Sequence, residues 1–312
     1  MLVHFWGVRG SLPTPILPSE VQAKVSAIVE QAVPDDFTDA ESKKRFLAGL
    51  PPWLSSTVGG NSPCVSVDID DFNEPIIFDC GSGMREMKIG SEGKPLPERY
   101  HIFFSHFHWD HLYGFPFFGP AFNPAVTLEF YSPKPHMQEY LAGLMSQPYF
   151  PVQLETIRST KHFHLLESPV SIGPLNVEFK KMSHPGDSSS YKITHNGKRF
   201  IYATDVELSN ADFSPDAENI NFFKDADCIV LDSQYTPDDA ADKSNWGHSS
   251  FSTAVDFAAH WGIKRLFLFH YEPAYDDLKL YEILQSARSY LEEKHIKGLE
   301  VSLATEGLEI AL

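Results

Sequence analysis

Short apolar runs bounded by Gly, Pro and Asn alternate along this chain with stretches in which apolar residues recur every three or four positions. The runs predict strands at 2–6, 64–69, 75–78, 101–104, 127–131, 176–181, 191–195, 199–203, 228–232, 265–269 and 300–304. Helical spacing predicts helices at 135–146, 252–261 and 278–294, and places Val21, Val25, Ile28 and Val29 on one helix face. Asn196-Gly197 between two strands reads as a hairpin turn, because a tight primed turn needs residues that tolerate positive φ. Thr38 followed by Glu41 has the spacing of a capping box. Strands interleaved with helices, without a linker or low-complexity segment, predict one α/β domain over 1–312.

Composition narrows the classes of function. The 312 residues include 25 basic and 42 acidic ones, a formal net charge of −17. That excess argues against an extended nucleic acid as the main partner, because phosphates are neutralised by clustered Lys and Arg. Cys64, Cys80 and Cys228 lie far apart with no C-x-x-C spacing, and read as small buried residues of a reducing, cytoplasmic compartment. The start, Met-Leu-Val-His-Phe-Trp, has no cationic flank or long apolar stretch, so no signal peptide is expected, and no segment approaches a membrane span.

The chemistry concentrates in residues 105–111, Ser-His-Phe-His-Trp-Asp-His, on the loop leaving the apolar run 102–104. His106, His108, Asp110 and His111 crowd ligand side chains that an ordinary core cannot satisfy, whereas a divalent metal can. The spacing H-x-H-x-D-H resembles the metallo-β-lactamase superfamily. The segment 248–275, from Gly-His-Ser-Ser to Phe-His-Tyr-Glu-Pro, is similar to the C-terminal part of ribonuclease Z and related phosphodiesterases.

That resemblance implies a four-layer αβ/βα sandwich with its ligand loops on one rim. It also implies further ligands in order, and His184, Asp205 and His270 stand where they are needed. His106, His108 and His184 would hold one divalent ion and Asp110, His111 and His270 a second, with Asp205 bridging. Imidazoles with few carboxylates suit zinc, with manganese or iron as alternatives. In such enzymes a metal-bound hydroxide, oriented by Asp110, attacks phosphorus, and His248 protonates the leaving oxygen. The need is physical: an alkoxide leaves poorly without a proton, while a thiolate does not require one. Ser249 or Ser250 would cap the helix that follows His248.

The pieces Phe-Trp-Gly-Val-Arg-Gly-Ser-Leu-Pro-Thr-Pro, Gly-Gly-Asn-Ser-Pro-Cys and Phe-Asp-Cys-Gly-Ser-Gly resemble a bacterial subgroup that hydrolyses 3′,5′-cyclic nucleotides. The expected substrate is therefore a small nucleotide, opened to a 5′-monophosphate. Asp79 would position a ligand loop from behind, or simply end a strand. Arg9 and Asn61 either touch the substrate phosphate or tie down their Gly-rich turns. Trp109 and Tyr271 would either pack or stack on a base. Ribonuclease Z carries a long arm between its third and fourth ligand motifs, but His184 to Asp205 spans only a hairpin. That argues against tRNA processing and leaves an RNA nuclease, or a thioester or lactone hydrolase, as alternatives. A non-enzymatic nucleotide-binding protein ranks last. In the family the Arg-Gly-Ser turn leads almost directly to the Gly-Gly-Asn turn, so about 16–57 reads as a helical insertion. A surface appendage or homodimer contact is favoured for it over a substrate lid.

Overall fold

The computed structural model describes residues 1–70, 72–90 and 97–312. Its strands gather into two sheets of seven. The first runs, in spatial order, Glu309–Ala311, Leu2–Gly7, Cys64–Ile69, Phe72–Phe78, Arg99–Phe103, Thr127–Ser132 and Thr160–Leu165. The second runs Glu300–Leu303, Arg265–Phe269, Cys228–Asp232, Lys198–Ala203, Ser189–His195, Leu175–Lys181 and Val170–Ile172. Four neighbouring strands in each sheet are parallel.

The central strands are continuously apolar because both faces of each sheet are covered. Ile76, Ile77 and Phe78 are all fully buried. Ile76 and Phe78 face the core between the sheets, whereas Ile77 faces an outer core with Met84, Phe104, Phe130 and Leu141. Each such side chain contributes about 1.5–3 kcal/mol on burial. Phe78 stacks on Tyr202 of the opposite sheet, ring centroids 5.0 Å apart, and so anchors the strand end from which Asp79 emerges. Helices Met84–Gly90 and Met137–Leu144 cover the first sheet, and Phe251–His260 with Asp277–Glu293 cover the second. This is the αβ/βα sandwich expected.

Every run read as a strand is one, with ends moved by a few residues. Three strands escaped the pattern. Thr160–Leu165 is an edge strand whose Lys161, His162 and His164 break the apolar signal, while Val170–Ile172 and Glu309–Ala311 are too short to show a period. Asn196 and Gly197 both adopt positive φ at the expected hairpin. The three cysteines are free and buried. Among the described residues no helix is long and apolar enough to cross a membrane.

Residues 16–57, expected as a helical insertion, form helices Pro18–Gln31, Ala40–Gly49 and Pro52–Ser55. The capping expectation was one residue early: Asp39 is the N-cap, accepting from Ser42 N at 2.7 Å, while Thr38 Oγ1 turns back to Asp35 O. Val21, Val25 and Val29 share a helix as predicted, yet their face is exposed. This segment is tied to the last long helix. Asp277, buried at that helix's first turn, binds Lys24 Nζ at 2.5 Å and accepts from Val58 N at 2.9 Å.

Candidate metal centre and active site

Strand ends place every candidate ligand. Asp79, the 105–111 loop, Asp205 and His270 follow the C-terminal ends of parallel strands and Asp232 ends one, where the crevice of an α/β sheet opens, while His184 follows the antiparallel strand Leu175–Lys181. Asp79, Asp205 and His270 adopt φ of 59°, 52° and 63°. Left-handed backbone in non-glycine residues is costly and gathers at sites that the surrounding packing over-determines. Here it turns each side chain back over the sheet rim.

The structure brings all seven predicted ligands together. His106, His108 and His184 form one cluster, and Asp110, His111 and His270 another. Asp205 lies between them. Its Oδ1 is 3.7 Å from His106 Nε2 and 3.8 Å from His184 Nε2, and its Oδ2 is 3.2 Å from both His111 Nε2 and His270 Nε2. One carboxylate oxygen thus faces each group of imidazoles. His106 Nε2 and His111 Nε2 are buried without a hydrogen-bond partner. Two orphaned imidazole nitrogens converging with two carboxylates suit a pair of divalent cations.

Outer contacts decide which nitrogen each ring presents. His184 Nδ1 donates to Gly247 O at 2.9 Å, and His270 Nδ1 donates to Gln234 Oε1 at 3.1 Å, turning Nε2 of both rings into the cluster. A Cβ on Gly247 would sit 2.2 Å from His184 Nδ1, so only glycine lets this loop approach the ring. Asp110 Oδ2 accepts from Ser11 N at 2.9 Å. Asp79, fully buried, accepts from Ser105 N, Ser105 Oγ, Tyr202 Oη and His111 Nδ1, all at 2.7–2.8 Å. Such a carboxylate fixes the tautomer and orientation of a ligating imidazole. Asp79→Asn puts an amide where four donors need an acceptor. The expected result is a 10–100-fold loss of metal affinity in chelator competition; wild-type affinity would show that Asp79 does not support the ligand loop.

Charge is distributed accordingly. Burial and the neighbouring imidazoles hold His106 well below the ordinary histidine value, so its lone pair is available. Burial also pulls on His111, but Asp110, Asp205 and Asp79 outweigh it and hold that ring well above the ordinary value. Burial would raise Asp110 and Asp205, yet the imidazoles beside them keep both well below the usual carboxylate range.

His248 lines a cavity of about 360 Å³ at the ligand cluster, with Ser11, His108, Asp110, Asp205 and His270. Its Nδ1 is 2.7 Å from Asp232 Oδ2, while Asp232 Oδ1 accepts from Ser249 N and Gln234 N. Burial pulls the ring down, but Asp232, followed by Asp205 and Asp110, lifts it to about 9. Ser250 caps the following helix, accepting from Thr253 N, whereas Ser249 Oγ donates to Val206 O.

The proposed substrate contacts divide. Trp109 stands 73% exposed at the cavity mouth. Tyr271 is turned away: it is buried, and its hydroxyl donates to Leu268 O and Ala304 O. Arg9 is buried too, with Nε donating to Gly59 O and Nη1 to Tyr275 O. Asn61 Nδ2 donates to Glu306 Oε2, and its Oδ1 accepts from Ser82 Oγ. These three hold turns around the site, because the hydrogen bonds their side chains make go to the chain itself. Asp232 and Gln234 went unread in the sequence. The signal for Asp232 was present, since it ends a buried apolar run just as Asp79 follows one.

Comparison with known proteins gives a consistent result. Residues 75–271 match the beta-lactamase superfamily domain. Ribonuclease Z of Picrophilus torridus is 23% identical over 284 residues, covering 76% of this chain and 88% of that protein. The metallo-beta-lactamase fold protein YhfI of Bacillus subtilis superposes with a TM-score of 0.64 at 16% identity, over 99% of this chain and 98% of that one. Zinc-bound PqqB of Methylobacterium extorquens superposes with a TM-score of 0.65 at 12% identity, over 100% of both chains.

Proposed function

Because this chain belongs to the metallo-β-lactamase superfamily, on its ribonuclease Z-like side, and is a metal-dependent hydrolase, we propose that it hydrolyses a small phosphodiester, a 3′,5′-cyclic nucleotide, to a 5′-monophosphate. The observation that carries this reading is the His248–Asp232 pair at the rim of the ligand cluster. With Nδ1–H committed to Asp232, the proton His248 has to give is on Nε2. A departing 3′ alkoxide needs that proton.

His106, His108 and His184 would hold one divalent ion and Asp110, His111 and His270 the other, with Asp205 between them; zinc suits this donor set. Bound there, the pair supplies charge neutralisation at the phosphate oxygens and a lowered pKa for water. The chain's own residues do the rest. Asp110, steadied by Ser11 N–H, orients the attacking water, and Asp232 keeps His248 aimed and protonated.

The protonated form of His248 is the working one, so activity is lost as pH rises through its pKa. Asp232 is the largest upward influence on that value, ahead of Asp205 and Asp110. Asp232→Asn should therefore move the alkaline limb of the pH–rate profile down toward the ordinary 6.5 of imidazole. A limb that stays put in this variant would assign it to another group.

The ribonuclease Z relatives favour a second reading, with RNA as substrate. Turnover of cyclic AMP, cyclic GMP, a precursor tRNA, bis(p-nitrophenyl) phosphate and a thioester by metal-assayed protein separates the two. Cyclic-nucleotide opening to the 5′-monophosphate is expected. Cleavage of precursor tRNA alone would replace the substrate assignment, and thioester cleavage alone would remove the phosphodiesterase reading.

A further inference from the structure

A second cavity, of about 690 Å³, adjoins the one at the ligand cluster and shares Phe107, Trp109 and Tyr113 with it. Its far wall is Tyr140, Leu144 and Tyr149, from helix Met137–Leu144 and the loop that follows. We propose that this aromatic groove is the nucleobase subsite, seating the flat, uncharged part of the substrate while its phosphate lies at the metal centre. The assignment rests on the phosphodiesterase reading above.

Three observations support it. The first is geometric. Trp109 sits inside the ligand motif, between His108 and Asp110, so its indole stands at the junction of the two cavities. Phe107 is packed against Phe104 and Tyr140, with ring centroids 5.3 and 5.0 Å away, which makes the floor rigid.

The second is exposure. Trp109 is 73% and Tyr149 83% exposed, on either side of the groove. Large aromatic side chains left in water beside a reaction centre mark a surface built to be covered. Base–aromatic stacking is the interaction they offer.

The third is charge. The sole charged side chain among the described lining residues is Glu139, and it is paired with His136 at 3.0 Å. The groove thus has no cation for a phosphate, whereas the neighbouring cavity holds the metal ligands.

The test compares ligands that differ only in the base. Metal-loaded protein is titrated calorimetrically with adenosine 5′-monophosphate and with ribose 5-phosphate. The nucleotide should bind about 5–50-fold more tightly. Tyr149→Ala should erase most of that gap and Tyr149→Phe should keep it. In parallel, kcat/KM for cyclic AMP relative to the abasic ribose 3′,5′-cyclic phosphate should fall by a similar factor in Tyr149→Ala. Equal binding of the two monophosphates, or a gap that survives Tyr149→Ala, overturns the subsite. If neither cyclic phosphate is turned over, the cyclic-nucleotide reading fails, and the monophosphate titration still decides the groove.

Discussion

Replacing His248 with alanine should cut cyclic-nucleotide turnover by roughly two to four orders of magnitude while leaving metal content intact. The ring lies beside the ligand cluster, 5.1 Å from the His270 ring and 5.2 Å from the His184 ring, but its Nδ1 is bound to Asp232. Removing it takes away a proton donor and none of the seven ligands. The loss should depend on the leaving group. Bis(p-nitrophenyl) phosphate expels a stabilised phenolate that needs no proton, so its turnover should fall by about tenfold or less. Parallel kinetics on the two diesters, with metal analysis, check this. An equal loss on both substrates, or unchanged cyclic-nucleotide turnover, would strip His248 of the acid role.

Asp205→Asn should be the most damaging conservative change in the protein. The substitution keeps the shape and removes the charge that faces four imidazoles at 3.2–3.8 Å. His270, His111 and His106 hold this carboxylate well below its usual range against the push of burial, so the cluster is organised around an anion. Without that anion neither half of the site has a shared ligand. Metal content should fall to well under about two ions per chain. Turnover should drop at least about a thousandfold, beyond the 10–100-fold expected for a carboxylate standing behind the ligands. A stability readout is independent of catalysis: excess metal should raise the unfolding temperature of the wild type far more than that of the variant, because only binding to the folded state stabilises it. Full metal occupancy in Asp205→Asn would remove the bridging assignment.

The sequence-level picture reached furthest where chemistry is local. Four ligands within 106–111 fall on one loop after one strand, so spacing alone implied a metal, and no partner elsewhere in the chain was needed to see it. His184, Asp205 and His270 are single residues after strands, and only their order within a resembled pattern distinguished them. Apolar runs marked the buried strands because both faces of each sheet are covered, so burial leaves no polar alternation to confuse the reading.

Tertiary structure alone decided the rest. Arg9, Asn61 and Tyr271 have side chains suited to a phosphate or a base, and their fate depended on carbonyl and carboxylate partners at 59, 275, 306, 268 and 304 that no spacing rule connects to them. Asp232 acquired its role only when the fold set its carboxylate against a ring sixteen residues later. The aromatic groove is assembled from the metal loop and a helix about thirty residues downstream. The sequence by itself determined which side chains could bind metal and which runs had to be buried, because those follow from the chemistry and period of neighbouring residues. Which polar atoms remained free to meet a substrate depended on long-range hydrogen bonding, and that exists only once the two sheets have packed.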